Sequence, residues 1–402
     1  MLGKEINKTI IFEPLVGGNY TNYIEALCEF VCASSALKGQ RVIFVVSNCM
    51  LEDKRIARFR NRLEFDVISP KYRFSPSFGL RKFGAYSNFL SHLWVQYIEA
   101  LERHQPDDVI IPTADHLSQA SFFSGGPRLR PRTTAILHQS RACAGDAKGY
   151  IKRLAYESIW ALSPWDKMLL VNPQAYCERV LLKKSSQRYG LSPHPVPLVD
   201  LIDRNEARSR LGLDVDVDHV GIVGSIGVRL DLKAIFESFK AAKFDNGTKL
   251  LLAGAPAHNA HREFIEEELR DPSLQKAVIF LDRYLTKDKL HIYYRACNVV
   301  MPYYQDTSGL SANLLLAASS NVLALVADHG FGKWLVNRFP DIGASASSSP
   351  ETMSQVLKEL LRRSKAERFP SERIKNLLEY NSYQNFARSA FSLETTTSPY
   401  ST

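Results

Sequence analysis

The sequence predicts an α/β protein made of two successive Rossmann-like domains. The 402 residues are about twice the usual length of one domain. Short runs of β-branched and apolar residues alternate with stretches of helical periodicity along the chain. This alternation stops once, in a stretch rich in proline, and then starts again. We therefore expect two parallel sheets in two domains that face each other across a ligand-binding cleft.

The first domain begins with a strand, a glycine turn, a helix and a second strand. Residues 16–19 (Val-Gly-Gly-Asn) close the first strand, and apolar residues at helical spacing follow as far as Gly39. A strand–helix–strand order of this kind is typical of a parallel sheet. Residues 81–103 are predicted to be a helix, and the predicted strands are residues 8–15, 41–46, 108–113, 133–137 and 167–171.

Three prolines, Pro193, Pro195 and Pro197, interrupt this pattern because closely spaced prolines exclude a regular element. A short charged helix over residues 204–213 follows and ends at Gly212. We predict an N-terminal domain over residues 1–195 and an interdomain linker over residues 196–217.

The second domain repeats the alternation from residue 218 onward. A glycine turn follows its first strand, and residues 232–243 are predicted to be an amphipathic helix. A second helix over residues 311–319 is rich in Ala and Leu on nearly every face, which predicts that it is buried. The predicted strands are residues 219–223, 249–253, 277–281, 298–301 and 322–326.

Composition excludes several classes of protein. The chain is 45% hydrophobic and 23% charged, as soluble globular proteins are. No window approaches 18 uninterrupted apolar residues, and the N-terminus lacks the apolar stretch of a signal peptide. Six scattered cysteines exclude a disulfide scaffold. Cys28 and Cys32 have the spacing of half a metal site, but without a matching pair we interpret them as buried thiols in a reducing cytoplasm.

The net charge of +9 lies almost entirely in the first half. Residues 1–200 hold 26 Lys and Arg against 18 Asp and Glu (+8), and the remainder holds 51 − 26 = 25 against 42 − 18 = 24 (+1). A basic first half of the chain indicates either an anionic partner or an ordinary solvated basic surface. The cations are scattered without an RNA-binding motif, so we expect no nucleic-acid partner.

The glycine turns match neither common nucleotide motif. There is no GxxxxGK[ST] sequence, and Gly221, Gly224 and Gly227 run GxxGxxG, where a dinucleotide fingerprint would run GxGxxG. Arg229 and Lys233 lie around the start of the following helix, which favours an anion there because the helix dipole alone disfavours cations at that end.

A second candidate phosphate site lies at residues 308–310 (Ser-Gly-Leu), before the buried helix. The Ser308–Gly309 step would let backbone amides approach an oxyanion, although a plain N-cap serine also explains it.

The second half resembles the nucleotide-sugar domain of GT-B glycosyltransferases, specifically the large retaining group called family 4 (glycosyl transferases group 1). The resemblance covers about 150 residues in order, including DRNEARSRLGL (203–213), HVGIVGSI (219–226), LLLAG (250–254), VIFL (278–281), LHIYYRACNVVMPY (290–303), Ser308–Gly309 and ADHG (327–330). It implies a nucleotide-sugar domain over residues 218–372. Residues 373–402 resemble the terminal helices that cross back to the first domain in this family.

The resemblance implies a role for each matching position. Arg229, Lys233 and the residues Ser308, Gly309 and Leu310 would hold the donor diphosphate, and Gly224, Asp282 and Tyr284 would lie at the nucleotide. Gly17, Gly18, Asn19, Asp115 and His116 would line the sugar and acceptor side. His138, after the predicted strand at 133–137, matches a histidine near the sugar, and it is the candidate catalytic residue together with Asp306.

The chain departs from the family at two acidic positions. The family usually places one glutamate near the sugar and a second, on the far side of a seven-residue spacer, on the nucleotide ribose. Alignment puts Ser308 and Leu316 at these positions, with Asp306 close to the first but out of register. Leucine cannot accept a hydrogen bond from a ribose hydroxyl, so donor binding must differ, weaken or be lost. Asp282 also replaces a glycine against which the base ring would pack.

The resemblance implies a glycosyltransferase that moves a sugar, as a hexosyltransferase does, from a nucleotide-diphosphate donor to a hydroxyl acceptor. We expect it to be retaining and metal-independent, to need no cofactor, and to serve the synthesis of surface polysaccharides or glycoconjugates. The acceptor would be a glycan, a lipid-linked sugar or a protein. The alternative is a catalytically weak or inactive GT-B subunit that binds or scaffolds.

The expected location is the cytoplasm, with peripheral docking on the inner face of the membrane as an added hypothesis. Residues 70–82 interleave four cations (Lys71, Arg73, Arg81 and Lys82) with three aromatic residues. Such a segment suits an anionic membrane surface or, equally, a solvated loop.

Overall fold

The computed structural model describes residues 6–16, 19–69, 83–138, 147–178, 188–197, 202–227, 229–244, 247–305, 312–366 and 371–400. The chain divides into two compact units. The first unit contains Met1–Pro195 together with Tyr380–Thr402, and the second contains Val196–Glu379.

The first unit is built on a seven-stranded parallel sheet. Its strand order is β3-β2-β1-β4-β5-β6-β7, and every neighbouring pair is parallel. The strands are β1 (Lys8–Glu13), β2 (Arg41–Ser47), β3 (Glu64–Ile68), β4 (Asp108–Ile111), β5 (Arg132–Leu137), β6 (Lys167–Leu170) and β7 (Tyr189–Leu191). The central strands are buried nearly throughout because helices cover the sheet, which explains their continuous β-branched and apolar runs.

The helices of this unit include α1, which lies between the first two strands, and α4, which supplies Phe89, Leu93 and Tyr97 to the core. They are α1 (Asn19–Ala33), α2 (Asn48–Glu52), α3 (Lys54–Ala57), α4 (Phe83–His104), α5 (Asp115–Ser124), α6 (Ala147–Leu162) and α7 (Pro173–Glu178).

The second unit is built on a six-stranded parallel sheet of order β10-β9-β8-β11-β12-β13. Its strands are β8 (His219–Val223), β9 (Lys249–Ala253), β10 (Val278–Leu281), β11 (Val299–Val300), β12 (Leu323–Ala327) and β13 (Gly343–Ala346). Its helices are α8 (Arg204–Leu211), α9 (Leu232–Ala242), α10 (Asn259–Glu268), α11 (Pro272–Ala277), α12 (Lys287–Ala296), α13 (Ala312–Ser319), α14 (Gly330–Arg338) and α15 (Pro350–Ser364). Two further helices lie near the C-terminus, α16 (Glu372–Tyr380) and α17 (Tyr383–Ala390).

The predicted α/β class with two parallel sheets is confirmed. Each strand predicted from a β-branched run is present within two residues of its expected ends. The predicted helix after residue 203 is α8, where Asp203 accepts hydrogen bonds from two backbone amides and Gly212 ends the helix in the left-handed conformation (φ 67°). This helix lies inside the range expected to form the linker, and its residues Ala207 and Arg208 are buried in the second unit.

Three strands have no counterpart in the sequence analysis. β3 (EFDVI) lies at the edge of its sheet and alternates polar with apolar residues, β7 has three residues, and β13 (GASA) carries only small side chains. None of the helices in the described ranges is long and apolar enough to span a bilayer.

Candidate active site

Polar side chains gather at the carboxyl edge of the first sheet. Glu13 ends β1, Thr113 and Asp115 follow β4, and His138 follows β5. Between β1 and β4 the connections leave in opposite directions, because β1 leads to β2 on one side while β4 leads to β5 on the other. A reversal of this kind opens a crevice at the carboxyl ends of the strands, where α/β proteins bind their ligands.

The carboxyl group of Glu13 is buried at this reversal. Thr113 Oγ1 donates to Glu13 Oε2, and the backbone N–H of Leu15 donates to Oε1 over 3.1 Å. Burial raises the pKa of Glu13 to about 8, although the bond from Thr113 acts against that rise. Glu13 is therefore mostly protonated at neutral pH and can itself donate a hydrogen bond.

His138 is held by hydrogen bonds at both ring nitrogens. Nε2 lies 2.7 Å from the carbonyl oxygen of Pro112, which can only accept, so Nε2 carries the proton. Burial lowers the pKa of His138, and in the neutral ring Nδ1 then accepts from the Tyr23 hydroxyl at 3.0 Å. The Tyr23 oxygen in turn accepts from Nδ1–H of His194, also at 3.0 Å. The ring of His138 is thus fixed within the protein, with neither nitrogen left for a ligand.

Asp115 and His116 are the first two residues of α5, and both are buried. Asp115 Oδ2 accepts a hydrogen bond from the backbone N–H of His138 at 3.0 Å, which joins the ends of β4 and β5. His116 Nδ1 lies 3.0 Å from the Tyr86 hydroxyl on α4. The structure therefore brings Asp115 and His138 together at the carboxyl edge of the first sheet, and their place beside a sugar stays a prediction.

The second sheet has its own reversal, between β8 and β11. Gly224 follows β8 with φ +105°, and the space that a side chain would occupy there is open. Its N–H donates to Ala253 O at 2.9 Å. A side chain on Gly254, which follows β9, would collide with the carbonyl of Gly224. Two turns therefore meet backbone to backbone, and apart from its two chain neighbours no atom of the described residues lies within 4 Å of the position that a Gly224 side chain would take.

Arg229 lies at the same reversal. Its exposed guanidinium lies over the ring of Tyr304, 5.2 Å from the ring centre. The Arg229 carbonyl accepts from the N–H of Gln305 at 2.7 Å, and the Tyr304 hydroxyl accepts from Asn313 Nδ2 at 2.6 Å. The loops after β8 and β11 are thereby joined, and no carboxylate in the described part of the chain pairs with Arg229.

Lys233 lies in the first turn of α9 with its side chain 75% exposed, 3.8 Å from Glu237. The N-terminus of this helix is already capped, since Asp231 accepts from the N–H of Ala234 at 3.1 Å. The Asp231 carboxylate therefore occupies one of the backbone N–H groups that an anion at this helix end would use.

The two residues expected at the base lie after β10. Asp282 forms an ion pair with Arg262, with 2.6 Å between Oδ2 and Nε, and this bond lowers the pKa of the Asp282 carboxyl group. Tyr284 is 81% exposed, an unusual position for a ring of that size.

Several predicted positions lie outside the described residues. They are Gly17 and Gly18 in the first unit, Asp306, Ser308, Gly309 and Leu310 in the second, and residues 70–82. Asn19 is the first residue of α1, and its side chain is also outside the described set. Within the described ranges, no three His, Cys, Asp or Glu side chains cluster so as to hold a metal ion.

Sequence reasoning missed Glu13, Tyr23, Thr113 and His194. A carboxylate inside an apolar strand run (TIIFEPL) was a usable signal for Glu13, because a buried acid needs partners. Tyr23 lies in a stretch of apolar residues at helical spacing, and His194 stands between two prolines, so neither carries a local signal of its hydrogen bonds. Only the folded structure shows that Tyr23 and His194 are linked to His138 by hydrogen bonds.

The sequence matches no model of a known protein family and no curated protein. Its structure is similar to those of several glycosyltransferases. A glycosyltransferase from Rickettsia africae shares 10% identity at a TM-score of 0.59, over 96% of this chain and 93% of that one. HepE of Anabaena, determined in complex with UDP, shares 12% identity at a TM-score of 0.59, over 96% of both chains.

The catalytic domain of starch synthase IV from Arabidopsis thaliana, bound to ADP and acarbose, gives a TM-score of 0.60 at 13% identity. That likeness covers 97% of this chain and 98% of the other. Identities this low establish the fold alone. The chain has the GT-B fold of glycosyltransferases.

Proposed function

We propose that this protein is a glycosyltransferase that moves a sugar from a nucleotide-diphosphate donor to a hydroxyl acceptor. One observation carries the proposal: in a chain with the GT-B fold, each unit gathers its polar groups at the reversal point of its sheet. Structural packing alone does not require a buried carboxyl group in one unit and an unpaired, exposed arginine in the other.

The second unit supplies the donor side in this proposal. The guanidinium of Arg229 and the ammonium of Lys233 bind the diphosphate, and the open space beside Gly224 lets the donor approach the backbone. The exposed ring of Tyr284 offers a face on which a base can stack. HepE in complex with UDP and starch synthase IV bound to ADP support a nucleoside diphosphate as the ligand class.

The first unit supplies the acceptor side, with Asp115 and His116 near the sugar. Protonated Glu13 can donate a hydrogen bond at neutral pH. We assign His138 a positioning role, since its ring holds Tyr23 and its backbone N–H holds Asp115. Gly17, Gly18 and Asn19 belong to the same side in this proposal.

The chemistry follows from these groups. The bond from the anomeric carbon to the diphosphate breaks, a bond to the acceptor oxygen forms, and the acceptor proton passes to the departing diphosphate. Arg229 and Lys233 stabilise the charge that develops on that leaving group. We propose a metal-independent, retaining reaction of the family 4 type, with Asp306 and the 308–310 segment near the sugar and diphosphate. The acceptor would be a glycan, a lipid-linked sugar or a protein in the cytoplasm.

The test is release of nucleoside diphosphate from UDP-, GDP- and ADP-sugars, with and without added glycan acceptors. We expect turnover with at least one donor, and loss of turnover in Arg229→Ala. Arg270→Ala is the matched control, since it removes an exposed arginine of the same unit that forms an ion pair with nearby Glu267. Equal turnover in both variants would remove Arg229 from the site.

The second candidate is a GT-B subunit that binds a nucleotide but transfers no sugar. Leu316 favours it, because this half-buried residue of α13 offers no acceptor where the aligned family places the ribose glutamate. Nucleotide binding without turnover on any donor would support this candidate.

A further inference from the structure

At the end of α5 the first unit exposes two apolar rings, followed by arginines that pair with no carboxylate of the described residues. Phe122 and Phe123 close this helix with 43% and 72% of their surfaces exposed, and their rings meet edge to face at 5.2 Å. The following loop exposes Arg128, Leu129 (40%) and Arg130. We call these five residues the aromatic–arginine patch. Clusters of exposed large apolar side chains mark interaction surfaces.

Two glycines and a proline shape the loop that follows α5. Gly125 ends α5 at φ +78°, a conformation that favours glycine, and Pro127 is buried. The guanidinium of Arg130 lies beside Gly126, so the glycine pair brings it back toward the helix end. The guanidinium of Arg130 therefore lies close to the end of α5, where the two rings are exposed.

The charge of the patch has one sign. Residues 116–145 contain four arginines and no Asp or Glu. Arg132 pairs with Asp108 at 2.8 Å, whereas neither Arg128 nor Arg130 pairs with a described carboxylate. An acidic partner would form ion pairs with these two arginines.

From these observations we propose that the aromatic–arginine patch docks the protein on an anionic phospholipid surface. Phenylalanine and leucine side chains enter the boundary between head groups and acyl chains, and the arginines bind lipid phosphates. The five residues of the patch are few beside the roughly 20–30 that a stable protein interface takes from each partner. A bilayer sets no such requirement, since a few apolar side chains and cations suffice for reversible binding.

The position of the patch is compatible with the proposed transferase activity but independent of it. Asp115 and His116 begin α5 at the carboxyl edge of the sheet, while Phe122 and Phe123 end it. The two ends are about 10–15 Å apart along the helix axis. Docking through the patch would therefore leave the carboxyl edge uncovered.

The experiment is flotation of the full-length protein with vesicles of phosphatidylcholine, alone or with one quarter phosphatidylglycerol. We expect binding only to the acidic vesicles. Arg128→Gln with Arg130→Gln should weaken it about 25-fold, since each cation is worth about fivefold near an anionic bilayer. Phe122→Ser with Phe123→Ser should weaken it about tenfold or more. All four side chains are exposed, so both variants should keep the wild-type melting temperature.

The matched control is Arg270→Gln with Arg362→Gln, which removes the same charge from two exposed positions of the second unit. It should bind as the wild type does. A Phe123→Trp variant should show emission quenched by brominated acyl chains, which places the ring in the bilayer.

The proposal is overturned if the wild type does not float with acidic vesicles, or if both patch variants float as it does. It is also overturned if only substitution of Lys71, Arg73, Arg81 and Lys82 abolishes binding, or if the patch variants instead abolish a dimer seen by light scattering. Nucleotide affinity, measured on the same variants, should not change. A failure of docking is thereby distinguished from a failure of the proposed transferase function.

Discussion

Glu13 carries a carboxyl group at the end of a strand whose other residues are mostly buried and apolar. Its pKa of about 8 lies above the ordinary value of 4.5 because burial disfavours the charged form. The native state therefore binds more protons than the unfolded state between these two values. The free energy of unfolding must then fall as the pH rises through this window.

Glu13→Gln removes this titration while keeping a side chain of the same shape. We expect the wild type to lose stability relative to Glu13→Gln as the pH rises from about 5 to about 8, by up to about 1.4 kcal/mol per pH unit. Urea unfolding at several pH values measures the difference. The control is Glu64→Gln. Glu64 pairs with Arg41, and this pair lowers the pKa of Glu64, so the substitution should leave the slope of stability against pH unchanged over the same range. Parallel curves for wild type and Glu13→Gln would show that Glu13 is ionised in the native state.

Leu316 is the residue at which the chain departs most from the family that it resembles. It is half-buried on α13, so truncation to alanine should cost less than the roughly 2–5 kcal/mol of a fully buried leucine. Leu316→Glu should restore a ribose acceptor and tighten nucleoside diphosphate binding about tenfold, as one charge-assisted hydrogen bond would. Titration calorimetry measures this. Leu316→Gln gives the matched neutral side chain, and unchanged or weaker binding in Leu316→Glu would show that the alignment is wrong.

At the scale of elements, the buried guanidinium of Arg208 connects α8 to other segments of the second unit. Arg208 donates to Ala296 O (3.0 Å), Val215 O (2.8 Å) and Asn298 Oδ1 (2.5 Å). Asn298 Oδ1 also accepts from the N–H of His219. The buried charge thus joins three chain segments through neutral oxygen acceptors.

Arg208→Met should destabilise the protein by about 3 kcal/mol, because it leaves the carbonyls of Ala296 and Val215 without this donor and removes one of the two donors to Asn298 Oδ1. Arg210→Met, two residues further along the same helix, removes an exposed arginine that pairs with Glu206 and should cost at most about 0.5 kcal/mol. Urea unfolding of both variants gives the comparison. Similar losses in the two variants would mean that the buried network contributes little.

The sequence predicted those elements whose local signal agrees with their burial. β8 (HVGIV) and β9 (KLLLA) match their expected bounds, since both are central strands covered on two faces. β3 and β13 were not predicted because edge strands need not be apolar throughout, so their pattern resembles that of loops. Their pairing partners, distant in sequence, decide their structure.

At the scale of the molecule, the last residues of the chain belong to the first unit. Tyr400 is buried, and its hydroxyl accepts from Asn381 Nδ2 at 2.9 Å. Asn381 Oδ1 in turn accepts from the backbone N–H of His194 at 2.9 Å. Hydrogen bonds thereby connect the C-terminal segment to His194, and through His194 and Tyr23 to His138.

Tyr400→Ala should destabilise the first unit by about 3–5 kcal/mol, the usual cost of deleting a large buried side chain. Tryptophan fluorescence during urea unfolding reports on this unit, because three of the four tryptophans (Trp94, Trp160 and Trp165) lie in it. Tyr284→Ala, which removes an exposed ring of the second unit, should leave the transition unchanged. An unaltered midpoint in Tyr400→Ala would show that the C-terminal segment adds no stability.

The candidate site could be predicted only where a local pattern marks it. Asp115 and His138 follow recognisable strands, so their meeting at one edge of the sheet could be anticipated. Glu13 could not be assigned its protonation from sequence, since its pKa depends on burial and on Thr113, one hundred residues away. The hydrogen bonds at both ring nitrogens of His138 could not be predicted either, because only the fold brings Tyr23 and Pro112 near this ring.

The central claim is that the second unit binds a nucleoside diphosphate at Arg229. Its most direct test is calorimetric titration of wild type, Arg229→Ala and the Arg270→Ala control with UDP, GDP and ADP. We predict binding of at least one nucleotide by wild type and control, and a loss of about 1.5–3 kcal/mol in Arg229→Ala, the worth of a charge-assisted contact. Absence of heat with all three nucleotides, or equal affinity in wild type and Arg229→Ala, would contradict it.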